Sequence, residues 1–260
     1  MPRPIAELGP VAGLVGVLCD IDDTLTWEGR LIPEALLALQ RASDAGLRVI
    51  PVTGRPAGWV DHIARMWPVD GVVGENGGLW FWMQNGKLQR RFSQSAEVRA
   101  HNRRRLDAAA AQILAAVPGT ALASDQPYRE LDLAVDFCED VPPLGDAEID
   151  HIVAEFHAVG ATCKVSSIHV NGWFGDFDKI EGFRRFHEDR WGEPLDVNAW
   201  AFFGDSANDE PMFRTFPLSV GVANVARFLP RLQHPPAWIT AAPGGHGFVE
   251  GLDRILASRA

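Results

Sequence analysis

The chain has 260 residues, of which 47% are hydrophobic and 22% are charged, a composition typical of a globular protein with a substantial core, arranged as two lobes. Its net charge of −10 argues against a nucleic-acid partner or an anionic membrane surface. Three cysteines without metal-like spacing (Cys19, Cys138 and Cys163) predict a reducing compartment, and no apolar stretch reaches the roughly 18 residues of a membrane span, so we expect a cytoplasmic protein.

The first strong pattern is an apolar run from Leu14 to Cys19 that ends on acidic residues. Such a run is typical of a strand that is buried on both faces. Asp20 and Asp22 follow it directly, and ligands of open α/β sheets bind beyond the carboxyl ends of the strands. A carboxylate pair there holds a divalent cation or divides nucleophilic and acid/base work. The alternative is an acidic turn without a catalytic role.

The next elements predict a parallel strand pair. Residues 33–45 have helical spacing and end before Gly46, and 47–52 has the pattern of a second strand. A right-handed crossover brings the ends of the two strands side by side, which places Thr53 near Asp20. A threonine hydroxyl followed by a glycine suits a phosphate oxygen, whereas the alternative is a turn without a ligand.

The character of the sequence changes near residue 93. Before it we predict a helix over 59–67, a short strand and turn over 71–78, and a hairpin over 79–91 around Asn85-Gly86. After it we predict two helices mixed with strands. The predicted helices cover 93–117 and 146–159, and the strands cover 120–124, 129–137 and 162–174, the last with a break near its paired serines. This block indicates a separate α+β lobe inserted into the first.

Strand alternation gives the inserted lobe a polar side. In the last strand pattern Ser167, His169 and Asn171 share one face, so they are candidates to line a cleft. The acidic residues of the earlier strand pattern, Glu130, Asp132 and Asp136, alternate in the same way, but they fit an exposed sheet face at least as well.

Two further elements place charged residues where a ligand would bind. Asp178 is a predicted helix N-cap and Lys179 lies in the first turn, where a lysine opposes the helix dipole unless an anion lies in front of it. A buried strand over 200–203 then ends on a second acidic cluster over 204–209.

These motifs, in this order, resemble the haloacid dehalogenase (HAD) superfamily, specifically its Cof-like phosphatases with a C2B-type cap (subclass IIB). They are D-x-D-x-T at 20–24, T-G-R at 53–55, Lys179, and G-D-S-x-N-D at 204–209. The resemblance implies an α/β fold with a doubly wound parallel-sheet core over 1–91 and 177–260. It implies an inserted α+β cap domain over 92–176.

The resemblance also implies roles for individual residues. Asp20 would be the nucleophile that forms an aspartyl-phosphate and Asp22 the general acid and base, while Thr53 and Lys179 hold the phosphoryl group. Mg²⁺ is the implied cofactor, held by the Asp20 side chain, the Asp22 backbone carbonyl and the Asp205 carboxylate, with Asp209 as a ligand or a supporting group. The expected substrate-binding residues are Arg55, Ser167, His169, Asn171 and Asn208.

The function expected on this basis is Mg²⁺-dependent hydrolysis of a small phosphate ester, because a cap that folds over the site excludes macromolecules. The polar strand face at Ser167, His169 and Asn171 suits a sugar or polyol phosphate. A phosphomannomutase-like phosphomutase is one alternative. His169 stands where that family has an acidic residue, which counts against it. A non-catalytic phosphosugar-binding protein is the other alternative.

Overall fold

A parallel sheet forms around the buried strand that precedes the first acidic cluster. The computed structural model describes residues 1–259 of the chain. Six strands pair in parallel throughout, which confirms the predicted fold class. In sheet order, with numbering by position in the chain, they are β1 (Arg3–Pro4), β15 (Trp238–Ile239), β14 (Leu218–Gly221), β13 (Trp200–Gly204), β2 (Gly16–Cys19) and β5 (Arg48–Pro51).

Helices cover both faces of this sheet. Within residues 1–259 the α-helices are α1 (Pro33–Asp44), α2 (Ala57–Met66), α3 (Ala96–Ala116), α4 (Asp146–Ala158), α5 (Lys179–Trp191), α6 (Glu210–Thr215) and α7 (Gly244–Ser258). Phe203 of β13 packs in the apolar cluster formed with α1 and α7, whereas Phe202 packs with α5 and α6. Successive side chains of a strand point to opposite faces, which explains its continuous apolar pattern. None of these helices combines the length and apolar character that crossing a membrane requires.

Two small sheets flank the central one. The predicted hairpin is formed by β7 (Leu79–Gln84) and β8 (Lys87–Phe92), with β6 (Val72–Gly74) antiparallel to β7. A parallel bridge between Val52 and Val73 joins this sheet to the end of β5. A two-stranded hairpin that we did not predict, β3 (Thr26–Trp27) with β4 (Arg30–Leu31), follows the first acidic cluster.

The inserted segment has a sheet and an apolar core of its own. Four antiparallel strands lie in the order β11 (Thr162–Val165), β12 (His169–Trp173), β10 (Asp132–Asp136) and β9 (Ala121–Leu122). Helices α3 and α4 pack against this sheet through a cluster that includes Leu106, Ile152, Phe156 and Val170. We call this sheet with its two helices the cap. The exact domain boundaries, 92 and 176, stay a prediction.

The paired serines interrupt the last strand pattern of the cap, as predicted. Strand β11 ends at Val165 and β12 begins at His169, with a turn between them. Ser166 closes this turn, because its Oγ lies 3.1 Å from the carbonyl oxygen of His169 and accepts the His169 N–H at 3.0 Å. The expectation that Ser167 shares a face with His169 and Asn171 is therefore wrong, since alternation does not continue through a turn.

Glu75 joins the core to the cap. This fully buried residue follows β6 and has a positive φ of 45°. One carboxylate oxygen accepts the N–H groups of Ala57 and Glu130, and the other accepts those of the next two cap residues, 131 and 132. Burial, with a contribution from the nearby Asp132 carboxylate, raises the pKa of Glu75 to about 7. The first turn of α2 and the cap chain thus share one acceptor group.

Replacing Glu75 with alanine is expected to lower the free energy of unfolding by about 3 kcal/mol, because several buried N–H groups lose their acceptor at once. Urea denaturation measures the change. Glu188→Ala, at an exposed position of α5, is the matched control and should leave stability within about 0.5 kcal/mol of the parent. An equal effect of the two substitutions would contradict the linking role of Glu75.

Candidate active site

The central sheet brings the two acidic clusters together. Strands β2 and β13 are neighbours with Cys19 opposite Phe203, so Asp20 and Asp205 follow adjacent strand ends. The Asp20 N–H donates to the Phe203 carbonyl at 2.9 Å, which continues the ladder to the first acidic residue. One carboxylate oxygen each of Asp20, Asp205 and Asp209 lies within 4.8 Å of the other two, and all three residues are buried. The predicted convergence of the motifs is therefore present.

Asp209 is held in place by the turn that follows β13. Its Oδ2 accepts the N–H groups of Asp205 and Ser206 at 3.0 and 3.2 Å. Gly204 makes room for this carboxylate, since a Cβ at that position would lie 2.6 Å from Oδ2. The first position of the G-D-S-x-N-D motif therefore requires glycine, because any side chain there would clash with the Asp209 carboxylate.

Helix α5 begins at the site and places Lys179 there. Asp178 caps the helix by accepting the Glu181 N–H at 2.8 Å, as predicted. Gly77 has a positive φ of 99°, and a Cβ on it would lie 1.9 Å from the Asp178 carbonyl oxygen. Only glycine allows this close approach, which fixes the first turn of α5 against the loop after β6.

Lys179 is the cation at the centre of the acidic group. Its side chain is 2% exposed, and its Nζ lies 2.8 Å from Asp20 Oδ1 and 2.6 Å from Asp209 Oδ1. Burial alone would lower the pKa of this ammonium, but Asp20 and Asp209 outweigh it and raise the pKa. Burial raises the pKa of Asp20 to about 7 in spite of Lys179, with Asp209 and Asp22 acting in the same direction. One lysine therefore compensates only part of the acidic charge.

The arrangement fits a divalent cation. Asp205 Oδ1 is buried and has no hydrogen-bond partner within the described residues, while Oδ2 accepts the Asn224 Nδ2 at 3.2 Å. Burial, followed by repulsion from Asp209 and Asp20, raises the pKa of Asp205 well above its usual value. Clustered carboxylate oxygens are the ligands that Mg²⁺ prefers. The donor set and the partnerless oxygen are what such an ion requires.

Asp22 is oriented by Arg55 of the T-G-R motif. The guanidinium Nε lies 3.0 Å from both Asp22 oxygens and Nη2 lies 2.8 Å from Oδ1. Arg55 also donates to Asp125 at 3.3 Å and to Glu139 at 2.7 Å, both in the cap segment. Although we expected Arg55 to bind substrate, each of its three nitrogens already donates to a carboxylate.

The other predicted core residues are also buried. The Thr53 hydroxyl accepts the Arg55 N–H at 3.0 Å and thereby shapes the T-G-R loop. Asn208 Oδ1 accepts the Ser206 hydroxyl at 2.9 Å.

A small cavity lies between the core and the cap. It is lined on the core side by Asp20, Asp22, Gly54, Arg55 and Asn208, and on the cap side by Arg129, Ser166, Ile168, His169 and Asn171. Two predicted cap residues, His169 and Asn171, thus reach it, whereas Ser167 lines a neighbouring cleft. The free volume is about 10 Å³, the space of a single water, so the core and cap are closed upon each other.

Five residues that contact the site were missed in the sequence: Asp125, Arg129, Glu139, Asn224 and Arg227. Arg129 is fully buried, donates to the Gly54 carbonyl at 2.8 Å, and pairs with Asp125 and Asp132. The spacing of these three charges, i, i+4 and i+7, is the one local signal that indicates a buried network. Glu139 lies in a loop and Asn224 in a short 3-10 helix after β14, and nothing in the sequence separates them from solvated polar residues.

The family comparison agrees with this geometry. Residues 17–101 match the family model described as haloacid dehalogenase-like hydrolase. The matched segment includes the first two motifs. None of the curated protein sequences matches the chain.

Solved structures share the fold of this chain over nearly its whole length. The Thermoplasma acidophilum protein 0175 has a TM-score of 0.70 at 18% identity, covering 93% of this chain and 98% of its own. The sucrose-phosphatase of Synechocystis, solved with sucrose and phosphate, has a TM-score of 0.64 at 13% identity, covering 95% and 98%. A HAD phosphatase of Bacteroides thetaiotaomicron has a TM-score of 0.60 at 19% identity, covering 95% and 96%. The fold is therefore confirmed, and the family model over residues 17–101 supports the predicted enzyme class, a hydrolase.

Removal of the central cation tests the electrostatics of the site. Lys179→Met, in metal-free buffer, is expected to lower the free energy of unfolding by about 3 kcal/mol at pH 8, because a buried ion pair loses one partner. The loss should be smaller at pH 5. The folded-state pKa of Asp20 is raised already with Lys179 present, so without the lysine Asp20 is protonated at pH 5, and the cost grows as the pH rises toward 8.

Chemical denaturation at the two pH values measures this difference. Lys164→Met, at an exposed position of β11, serves as the control. A loss that is the same at pH 5 and pH 8 would show that Lys179 does not act through the neighbouring carboxylates.

Proposed function

We propose that this HAD hydrolase is a Mg²⁺-dependent phosphomonoesterase that acts on a small sugar or polyol phosphate through an aspartyl-phosphate. The observation that carries the proposal is the convergence of Asp20, Asp205 and Asp209, with Lys179 paired to the first and the last, and with Asp205 Oδ1 lacking a hydrogen-bond partner among residues 1–259. Phosphate monoesters resist nucleophiles because their oxygens are anionic, so their hydrolysis requires positive charge at the site. The three carboxylates supply ligands for a divalent cation that would provide this positive charge.

The hydrogen bonds distinguish the acidic residues that can coordinate the metal directly from the one that supports them. Both oxygens of Asp209 already accept hydrogen bonds, from Lys179 and from backbone N–H groups. Asp20 and Asp205 therefore suit direct coordination together with the Asp22 carbonyl, and Asp209 suits a supporting role. When bound, Mg²⁺ would neutralise phosphoryl oxygens and polarise the phosphorus.

The reaction then follows from the side chains. A carboxylate oxygen of Asp20 attacks phosphorus, the bond from phosphorus to the ester oxygen breaks, and Asp22 gives its proton to the departing alcohol. Water next attacks the phosphorus of the aspartyl-phosphate and yields its proton to Asp22, which releases inorganic phosphate and restores Asp20. Arg55 holds Asp22 in one orientation through both steps. Lys179 positions the Asp20 carboxylate for attack on phosphorus and offsets the negative charge of the phosphoryl group.

The cap favours a small substrate. The closed cavity has no room for an ester, so binding requires the cap to separate from the core, and closure then excludes water and macromolecules. His169 and Asn171 present polar groups to the ligand, which suits hydroxyls. The likeness in fold to a sucrose-phosphatase is consistent with this substrate class. The cytoplasmic location stays a prediction from the cysteine content.

Phosphate release from p-nitrophenyl phosphate and from a panel of sugar phosphates, with Mg²⁺, tests the activity. Asp20→Asn is expected to reduce turnover at least about 1,000-fold, because the nucleophile is lost, while the fold stays intact by circular dichroism. Asp253→Asn, on the exposed side of α7, should keep full activity. Retention of more than a few per cent of activity in Asp20→Asn, or a requirement for a bisphosphate activator as in a phosphomutase, would overturn the proposal.

Mg²⁺ should stabilise the folded protein independently of turnover. At about a hundred times the Kd, the ion is expected to raise the Tm by about 5 °C. Asp205→Asn should abolish most of this shift, because it replaces the carboxylate whose Oδ1 lacks a partner. Differential scanning fluorimetry with Mg²⁺ or EDTA measures it, with Asp253→Asn as the control. An unchanged shift in Asp205→Asn would remove this residue from the metal site.

A further inference from the structure

The charges around the cavity restrict the leaving group that it can accept. Two arginines line the cavity, Arg55 from the core and Arg129 from the cap. The Arg55 nitrogens donate to Asp22, Asp125 and Glu139. In Arg129, Nε and Nη2 donate to Asp125, and Nη1 donates to the Asp132 carboxylate and the Gly54 carbonyl. Every nitrogen of the two guanidinium groups therefore donates to a partner within the protein, and both groups are paired with carboxylates.

The two other cations near the acidic cluster are also paired with carboxylates. Arg227 lies 3.6 Å from Asp23 and 3.9 Å from Asp205. Lys179 pairs with Asp20 and Asp209 on the side where the phosphoryl group would bind. Within residues 1–259, each lysine or arginine that lines the cavity or contacts Asp20 already pairs with carboxylates. A carboxylate or a second phosphate on the leaving group would need an uncommitted cation to offset its lost hydration. The closed site offers none.

Glu139 occupies the part of Arg55 that could otherwise bind such an anion. Its Oε1 lies 2.7 Å from Arg55 Nη2 and its Oε2 lies 2.9 Å from His169 Nε2, so it contacts two residues of the cavity wall. Burial alone would raise the pKa of Glu139, but hydrogen bonding from His169 and Arg55 outweighs it and lowers the pKa to about 2. The residue is therefore ionised at neutral pH. Its side chain is 28% exposed and lies in a loop after β10.

The polar groups that face the leaving group suit hydroxyls instead. Asn171 donates its Nδ2 to Asp132 at 2.9 Å, which leaves its Oδ1 as an acceptor. Ser166 already contacts the backbone of His169. Acceptor groups within a ring of carboxylates attract hydroxyl donors and repel anions.

We propose that Glu139, by occupying Arg55, makes this site selective for phosphate esters of uncharged alcohols and excludes esters whose leaving group carries a carboxylate. The proposal rests on the proposed phosphatase function and narrows its substrate class. Glu139 acts through Arg55 and is a positioning residue, and the exclusion is a case of specificity by unfavourable charge.

Matched pairs of esters test the proposal. Glycerol 3-phosphate and 3-phosphoglycerate differ in one terminal group, a hydroxymethyl against a carboxylate, and glucose 6-phosphate and 6-phosphogluconate form a second pair of larger size. With Mg²⁺, kcat/KM for at least one uncharged ester is expected to exceed that of its carboxylated counterpart about tenfold or more. The reverse preference, or equal values, would overturn the proposal.

The substitution Glu139→Gln should reduce this ratio about fivefold or more, mainly through a lower KM for the carboxylated ester, because one of the negative charges that offset Arg55 is removed. A merely structural role of Glu139 would change both members of a pair alike. Asp140→Asn, which removes the same charge at the next exposed position, is the control and should leave the ratio unchanged. An unchanged ratio in Glu139→Gln would also overturn the proposal.

Hydrolysis of p-nitrophenyl phosphate distinguishes failure of the phosphatase function from failure of the selectivity. If neither p-nitrophenyl phosphate nor any of the esters is hydrolysed with Mg²⁺, the phosphatase function fails and this proposal fails with it. If p-nitrophenyl phosphate is hydrolysed but neither uncharged ester is, only the selectivity proposal fails.

Discussion

The ion pairs of Lys179 with Asp20 and Asp209 are the interaction on which this site depends. Three buried carboxylates repel one another and lose hydration, and such a group is stable only next to positive charge. Lys179 supplies one charge through contacts of 2.8 and 2.6 Å. The Asp178 cap and the close approach at Gly77 hold the lysine at that point. The acidic charge that it leaves uncompensated is what makes the site suited to a divalent cation.

The interface between core and cap also consists largely of buried charged groups that are paired with one another. The two parts meet through Arg55, Arg129, Glu75 and their carboxylate or backbone partners, and Leu131 and Trp173 of the inserted segment pack in the apolar cluster of the core. Separation at the cavity exposes charged groups, which water solvates, and leaves the apolar cluster of the cap itself buried. A polar interface of this kind is compatible with a cap that opens for the substrate and closes over it.

Most of the fold could be predicted from local patterns. The buried strands, the hairpin around Asn85-Gly86, the Asp178 cap and the break at the paired serines all have signals within a few residues. Ser167 shows where such reasoning ends, because strand alternation does not hold in a turn. The short hairpin β3–β4 was missed because its strands of two residues are too short to show a period. The site residues of the motifs were found because each follows a strand or begins a helix.

The sequence by itself determined that two acidic clusters, a threonine and a lysine lie at the ends of buried elements, since burial of a strand and capping of a helix are encoded locally. Only the tertiary structure decided how their charges are paired. Arg55 binds Asp22, 33 residues earlier, and Glu139, 84 residues later, and no local period encodes such contacts. The physical reason is that an ion pair depends on the distance between two atoms in the folded chain, which is fixed by the packing of the cap on the core.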